Sequence, residues 1–172
     1  IRVIASAYAN TNLDVPAIPP EAYAMFSAGE HFTVVDLGGD DRGAYALGRF
    51  ADFLAEPQGY DMLLVLNRYR PDTATVELAL AAAREIEDAC HVRFTGVVNN
   101  SNLGPITEAA HVLDTVSYAN AVAEALELPL VMTSYSETLG ILEVPEPFPI
   151  TITNKEIWNI EGGDYHGKGN HS

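Results

Sequence analysis

Three short stretches hold the side chains that could do chemistry. In HFTVVDLGGDDRGAY, residues 31–45, an apolar run ends on Asp36, and Gly38, Gly39, Asp40 and Asp41 follow. A carboxylate in that position could orient a metal-bound water, with the side-chain-free backbone of Gly39 approaching a terminal phosphate. The same residues also suit a plain strand-to-helix turn, in which Asp40 or Asp41 caps a helix starting near Gly43. In FTGVVNNSNLG, a buried strand delivers Asn99 and Asn100 to one sheet edge, with Ser101 and Asn102 behind them. A carboxamide offers a donor and an acceptor, matching the amine and ring nitrogen of adenine, although asparagine also favours tight turns. In LLVLNRYRPDT, Asn67, Arg68 and Arg70 leave a strand just before Pro71 and a helix start. Guanidinium forks there could hold phosphate or base, or simply pair with surface acids.

The elements that must position these residues alternate along the chain. Apolar, β-branched runs at Val3–Ala5, Phe32–Val35, Met62–Leu66, Phe94–Val98 and Leu130–Met132 are short and nearly continuous, as strands covered on both faces are. Between them, Val76, Ala79, Leu80, Ala83, Ile86 and Cys90 fall on one helical stripe, with Asp72 or Thr73 as the cap after Pro71. Further helices are expected at Pro20–Ser27, Gly43–Ala55, Ile106–Leu113 and Ser117–Leu126. Strand and helix in turn imply a parallel sheet, an α/β fold, and ligands at the carboxyl ends of the strands. Residues 1–150 are expected to form one domain, and 151–172 a tail in which the pattern breaks down after EVPEPFPI.

The totals narrow the class. With 48% apolar and 19% charged residues the composition is that of a globular protein, and no apolar run is long enough to span a bilayer. A net charge of -15, from 24 acids and 9 bases, would repel phosphate backbones and anionic lipid, so neither nucleic acid nor membrane is expected as a partner. The lysines are Lys155 and Lys168, both near the end of the chain. A single cysteine, Cys90, excludes an internal disulfide and fits the cytoplasm; beside His91 it reads as a buried thiol rather than part of a metal site.

The ordered set FTVVDLGGDDRGA, YDMLLVLNRYRPDT, FTGVVNNSNLG and LPLVMTSY resembles the later portion of the ParA/MinD group of P-loop ATPases, over Phe32 to Tyr135. The resemblance implies a three-layer, mostly parallel sheet with helices on both faces, and ATP or ADP with magnesium as ligand. It makes Asp36 the magnesium-side acid, Gly39 the switch glycine, and Asn99 the adenine reader, with Gly38, Asn100, Asn67 and Pro71 also among the nucleotide-binding residues. It further implies a homodimer, and the acidity points to a protein client.

The departure is the phosphate loop. No lysine or glycine cluster precedes Asp36. GGDYHGKG, Gly162–Gly169, has the loop's Gly-Lys but Gly169 where Ser or Thr is required, and too few residues follow for a helix. On the resemblance, the missing segment would precede Ile1, and little or no ATP hydrolysis is expected from this chain alone. Two other readings remain. One is a non-catalytic α/β interaction domain that lost nucleotide binding. The other is a flavodoxin-like or receiver-like domain in which Asp36, Asp40 and Asp41 hold magnesium.

Overall fold

The computed structural model describes residues 32–38, 41–54 and 59–153. The expected strand at Val3–Ala5, the helix at Pro20–Ser27 and the residues from 154 onward lie outside them. Four strands form one parallel sheet in the order β1 (Leu63–Leu66), β2 (Gly96–Asn99), β3 (Leu130–Ser136), β4 (Pro147–Ile150). The five helices of the described residues are α1 (Asp41–Gly48), α2 (Ala51–Leu54), α3 (Val76–Cys90), α4 (Ala109–Leu113) and α5 (Val116–Ala125). The chain is therefore α/β, as its alternating pattern implies.

Sheet and helices meet through one apolar layer. Leu64 and Leu66 of β1 and Val97 of β2 share a face, and Ala79 and Ala83 of α3 with Tyr118, Ala119, Val122 and Ala123 of α5 pack onto it. Small residues on both helices let their backbones come close to the sheet, and the removal of this layer from water is the main stabilising term. A second cluster joins Ala44 and Leu47 of α1 to Cys90, Val92 and Leu37, so the thiol is a core group. The opposite sheet face carries Leu63, Val65 and Val131, all exposed. A methyl at Gly96 would meet Val131 Cγ1 at 2.9 Å and Leu63 Cδ2 at 3.2 Å, so the glycine makes room for both.

Several boundaries differ from expectation for identifiable reasons. Phe32–Val35 is not a strand: Phe32, Val34 and Val35 are exposed, and among the described residues β1 is paired with β2 alone. An apolar run becomes a strand only when a neighbour satisfies its backbone groups. The helix foreseen over Gly43–Ala55 is split at Gly48–Phe50, where Phe50 N–H turns back to the Leu47 carbonyl. α3 starts later than Asp72 or Thr73, because Pro71–Thr73 forms a 3-10 turn; Thr75 is the cap and accepts from Leu78 N–H at 3.3 Å. It ends on His91 in the left-handed region, φ 58°. β4 had no counterpart in the sequence reading. Its prolines, Pro147 and Pro149, sit on the side away from β3, since the preceding carbonyl of Glu146 accepts from Thr133 N–H at 2.7 Å. That outer edge therefore has no donors at those positions, which blunts it against further pairing.

Candidate functional site

At the carboxyl ends of β1 and β2 the two loops are tied together mainly by side chain to backbone bonds. Asn67 donates through Nδ2 to the Asn102 carbonyl at 3.0 Å, while its Oδ1 accepts from Tyr69 N–H at 3.0 Å and Asn102 N–H at 3.3 Å. The Asn67 carbonyl accepts from the Thr73 hydroxyl at 2.7 Å. Ser101 Oγ accepts from Arg68 N–H at 3.0 Å, and the Arg68 guanidinium reaches the Asp114 carbonyl at 2.9 Å while lying over the Tyr118 ring. Tyr69 donates its hydroxyl to the His111 carbonyl at 2.9 Å, and Tyr118 donates to the Thr73 carbonyl. The Tyr69 and Thr73 bonds to Asn67 brace the loop after β1 itself, and the others join that loop to the chain after β2. The edge is built as one rigid shelf, because the polar groups of a strand end need partners when their neighbours are buried.

The residues singled out in the sequence stand differently on this shelf. Asn99 is 1% exposed and faces the helices; Nδ2 donates to Thr115 Oγ1 at 3.1 Å, and Oδ1 accepts from Ser101 N–H at 3.2 Å. Both ends of its carboxamide make a bond within the fold, leaving one Nδ2 hydrogen and one Oδ1 lone pair beyond them. Asn100, one residue on, takes the opposite face. Its Oδ1 accepts from Ser134 Oγ at 2.7 Å, and among the described residues its Nδ2 makes no hydrogen bond. Pro71 opens the 3-10 turn before α3 and is exposed, and Asn67 is the clamp just described. Asp36 and Gly38 are exposed in the segment before α1, and among the described residues the Asp36 carboxylate makes no hydrogen bond or ion pair. Gly39 and Asp40 lie outside the described residues. The structure thus joins Asn67 to the Asn99–Asn102 segment but gives Asp36 no contact with it.

Residues that the sequence reading passed over do much of the positioning. Ser134, Thr115 and Tyr118 fix the orientation of Asn100, Asn99 and the loop at Thr73 respectively. Their signal was present only as polar residues following apolar runs, and which strand neighbours which cannot be read from that. Thr133 Oγ1 is fully buried and unpartnered on the helix-facing side, beside Asn99 in the register. Burial pushes the Tyr118 phenol above its usual value, with the Arg68 charge opposing that shift. A groove of about 350 Å³ runs between the starts of α3 and α5, lined by Arg68, Thr75, Glu77, Ser117 and Tyr118. Glu77 there has its pKa lowered by hydrogen bonds to its own backbone N–H and to Thr75, so a carboxylate already occupies the amino end of α3.

Among the described residues no three His, Cys, Asp or Glu side chains gather closely enough to hold a metal ion, and no helix is long and apolar enough to cross a membrane. Comparison with protein-family models, with curated proteins and with solved structures found no match.

Proposed function

We propose that the chain is a nucleotide-binding α/β domain of ParA/MinD type, with an adenine nucleotide lying along the carboxyl edge of β1 and β2. The observation that carries this reading is the shelf itself. Open α/β sheets bind ligands outside the carboxyl ends of their strands, and here that edge is rigid and polar and keeps the Asn100 carboxamide nitrogen uncommitted. Arg70, exposed at the same edge and without a side-chain partner among the described residues, adds a positive group for phosphate. The base end of such a ligand has a donor waiting for it. The phosphate end is weak, because the described residues contain no lysine to neutralise it. In this reading Asp36 stands on the magnesium side, nucleotide binding is weak, and hydrolysis by this chain alone is slight or absent.

Thermal unfolding with Mg-ATP, Mg-ADP and magnesium alone tests the proposal. A rise in midpoint with adenine nucleotide beyond that with magnesium supports it, and equal midpoints in all three would refute it. A second reading, the non-catalytic interaction domain, is favoured by the exposed apolar residues Leu63, Val65, Val131 and Phe148. It expects no nucleotide response and an oligomeric state that depends on concentration.

A further inference from the structure

We infer that the outer edge of β1 is a strand-binding site, and that its occupant is Phe32–Val35 of the same chain, closing onto it as a fifth parallel strand. The inference goes beyond the nucleotide reading and stands without it. β1 is an acceptor by composition and by geometry. Leu63–Leu66 is apolar on both faces, as strands with neighbours on either side are, yet among the described residues it pairs with β2 alone. The Met62 and Leu66 carbonyls accept from Thr95 and Asn100 N–H at 2.8 and 2.9 Å. By alternation Leu64 also faces β2, and Leu63 and Val65 turn their backbone groups outward. At the other edge of the sheet β4 is blunted by Pro147 and Pro149, whereas β1 carries neither proline nor charge to turn a strand away.

Exposure, tether and handedness select the occupant. Phe32 is 105% and Val34 94% exposed, as bare as in an isolated peptide, which is an unfavourable place for apolar side chains. Leu37, two residues beyond Val35, packs into the cluster of Ala44, Leu47, Cys90 and Val92, which Tyr60 and Met62 at the entry to β1 also join. Val35 is therefore held within about 7 Å of an anchored residue. Between Val35 and β1 the chain runs through α1, which lies against α3 with Gly48 beside Ala89 and Cys90. A right-handed crossover whose helix shares the face of α3 steps in the same direction as β1 to β2, so its first strand belongs on the outer side of β1. Leu37 fixes the faces: in an extended chain Val35 and Thr33 share its side, and Phe32 and Val34 take the other, beside the exposed Leu63 and Val65. In that register the Thr33 carbonyl accepts from Val65 N–H, and Thr33 N–H donates to the Leu63 carbonyl. The closure also brings Asp36 beside Asn67, to the carboxyl edge with which it has no contact in the open arrangement.

Amide hydrogen exchange of the full chain, read by NMR at Val65, tests the inference. The comparison is with Thr33→Pro, which removes the donor aimed at β1 from an exposed segment outside the core. A strand closed about nine-tenths of the time slows Val65 exchange about tenfold in wild type relative to that variant. Thr33→Val, which keeps both backbone groups, should retain the protection. Leu64 and Leu66, facing β2, should exchange alike in all three proteins, which shows that the sheet is intact. Val65 exchange that is equally fast in wild type and Thr33→Pro would overturn the closure. Equal protection in both would give the edge to another strand, and protection that grows with protein concentration would give it to a second copy. Either result removes Phe32–Val35 as the occupant, and none of them bears on nucleotide binding.

Discussion

Two adjacent asparagines take different partners at the sheet edge, Asn99 meeting Thr115 and Asn100 meeting Ser134. Asn99 closes β2, and Asn100 is the first residue beyond it. The sequence shows the pair, but which of the two meets the helices depends on register, and register depends on packing against α5 through Thr115. Asn99→Ala should therefore act on stability without any ligand. It strips Thr115 Oγ1 and Ser101 N–H of a partner in a buried place, at a cost of about 1–3 kcal/mol. Urea unfolding measures it, and an unchanged midpoint would show the carboxamide to be dispensable to the fold. Tyr118 offers a second measurement. Its folded pKa lies above the unfolded value of about 10 because burial disfavours the phenolate. The unfolded chain then gives up this proton first as pH rises, so the stability tied to it is whole below pH 10 and drains away above it. Comparing wild type with Tyr118→Phe between pH 8 and about pH 11 isolates that part from the other tyrosines. The wild type should fall more steeply, and parallel curves would contradict the assigned burial effect.

At the scale of elements, legibility tracked how local the determining forces are. The α3 stripe of Val76, Ala79, Leu80, Ala83, Ile86 and Cys90 was plain because a helix satisfies its own backbone, and three of those residues are indeed fully buried. Its start was misplaced by a few residues because Asp72, Thr73 and Thr75 are all competent caps, and only the 3-10 turn at Pro71 decides among them. Thr75→Ala should then cost about 1 kcal/mol while Thr73→Val acts elsewhere, through the lost bond to the Asn67 carbonyl. Equal losses of α3 helicity in both variants, followed by circular dichroism and hydrogen exchange, would place the cap wrongly. At the other end, His91 holds a backbone conformation that costs a side chain energy. His91→Gly should raise stability by about 0.5–1 kcal/mol, provided the exposed imidazole has no other task. Strands were harder. Phe32–Val35 has strand composition but no described neighbour, whereas Pro147–Ile150 has two prolines and still pairs, because a strand needs donors on only one side when it lies at an edge.

For the whole molecule the opposing long-range force is charge. The chain carries -15, and among the described residues the ion pair is that of Arg93 with Glu87, so few of their acids are neutralised by a partner. Such self-repulsion opposes the compact state, and salt should relieve it once the screening length falls to about 10 Å near 0.1 M. Going from low salt to about 0.3 M sodium chloride should raise the unfolding midpoint by a few degrees. Magnesium chloride at matched ionic strength makes the comparison decisive. A lone exposed carboxylate such as Asp36 is too poor a ligand set for an ion that keeps most of its water, and no acidic cluster stands among the described residues to help it. Without nucleotide the two salts should therefore act alike, since both work through the same screened field. A magnesium response that saturates below about 1 mM, far under the range where screening matters, would instead reveal a built cation site. Asp36→Asn would then show whether that ion sits where the DLGGDD turn first suggested.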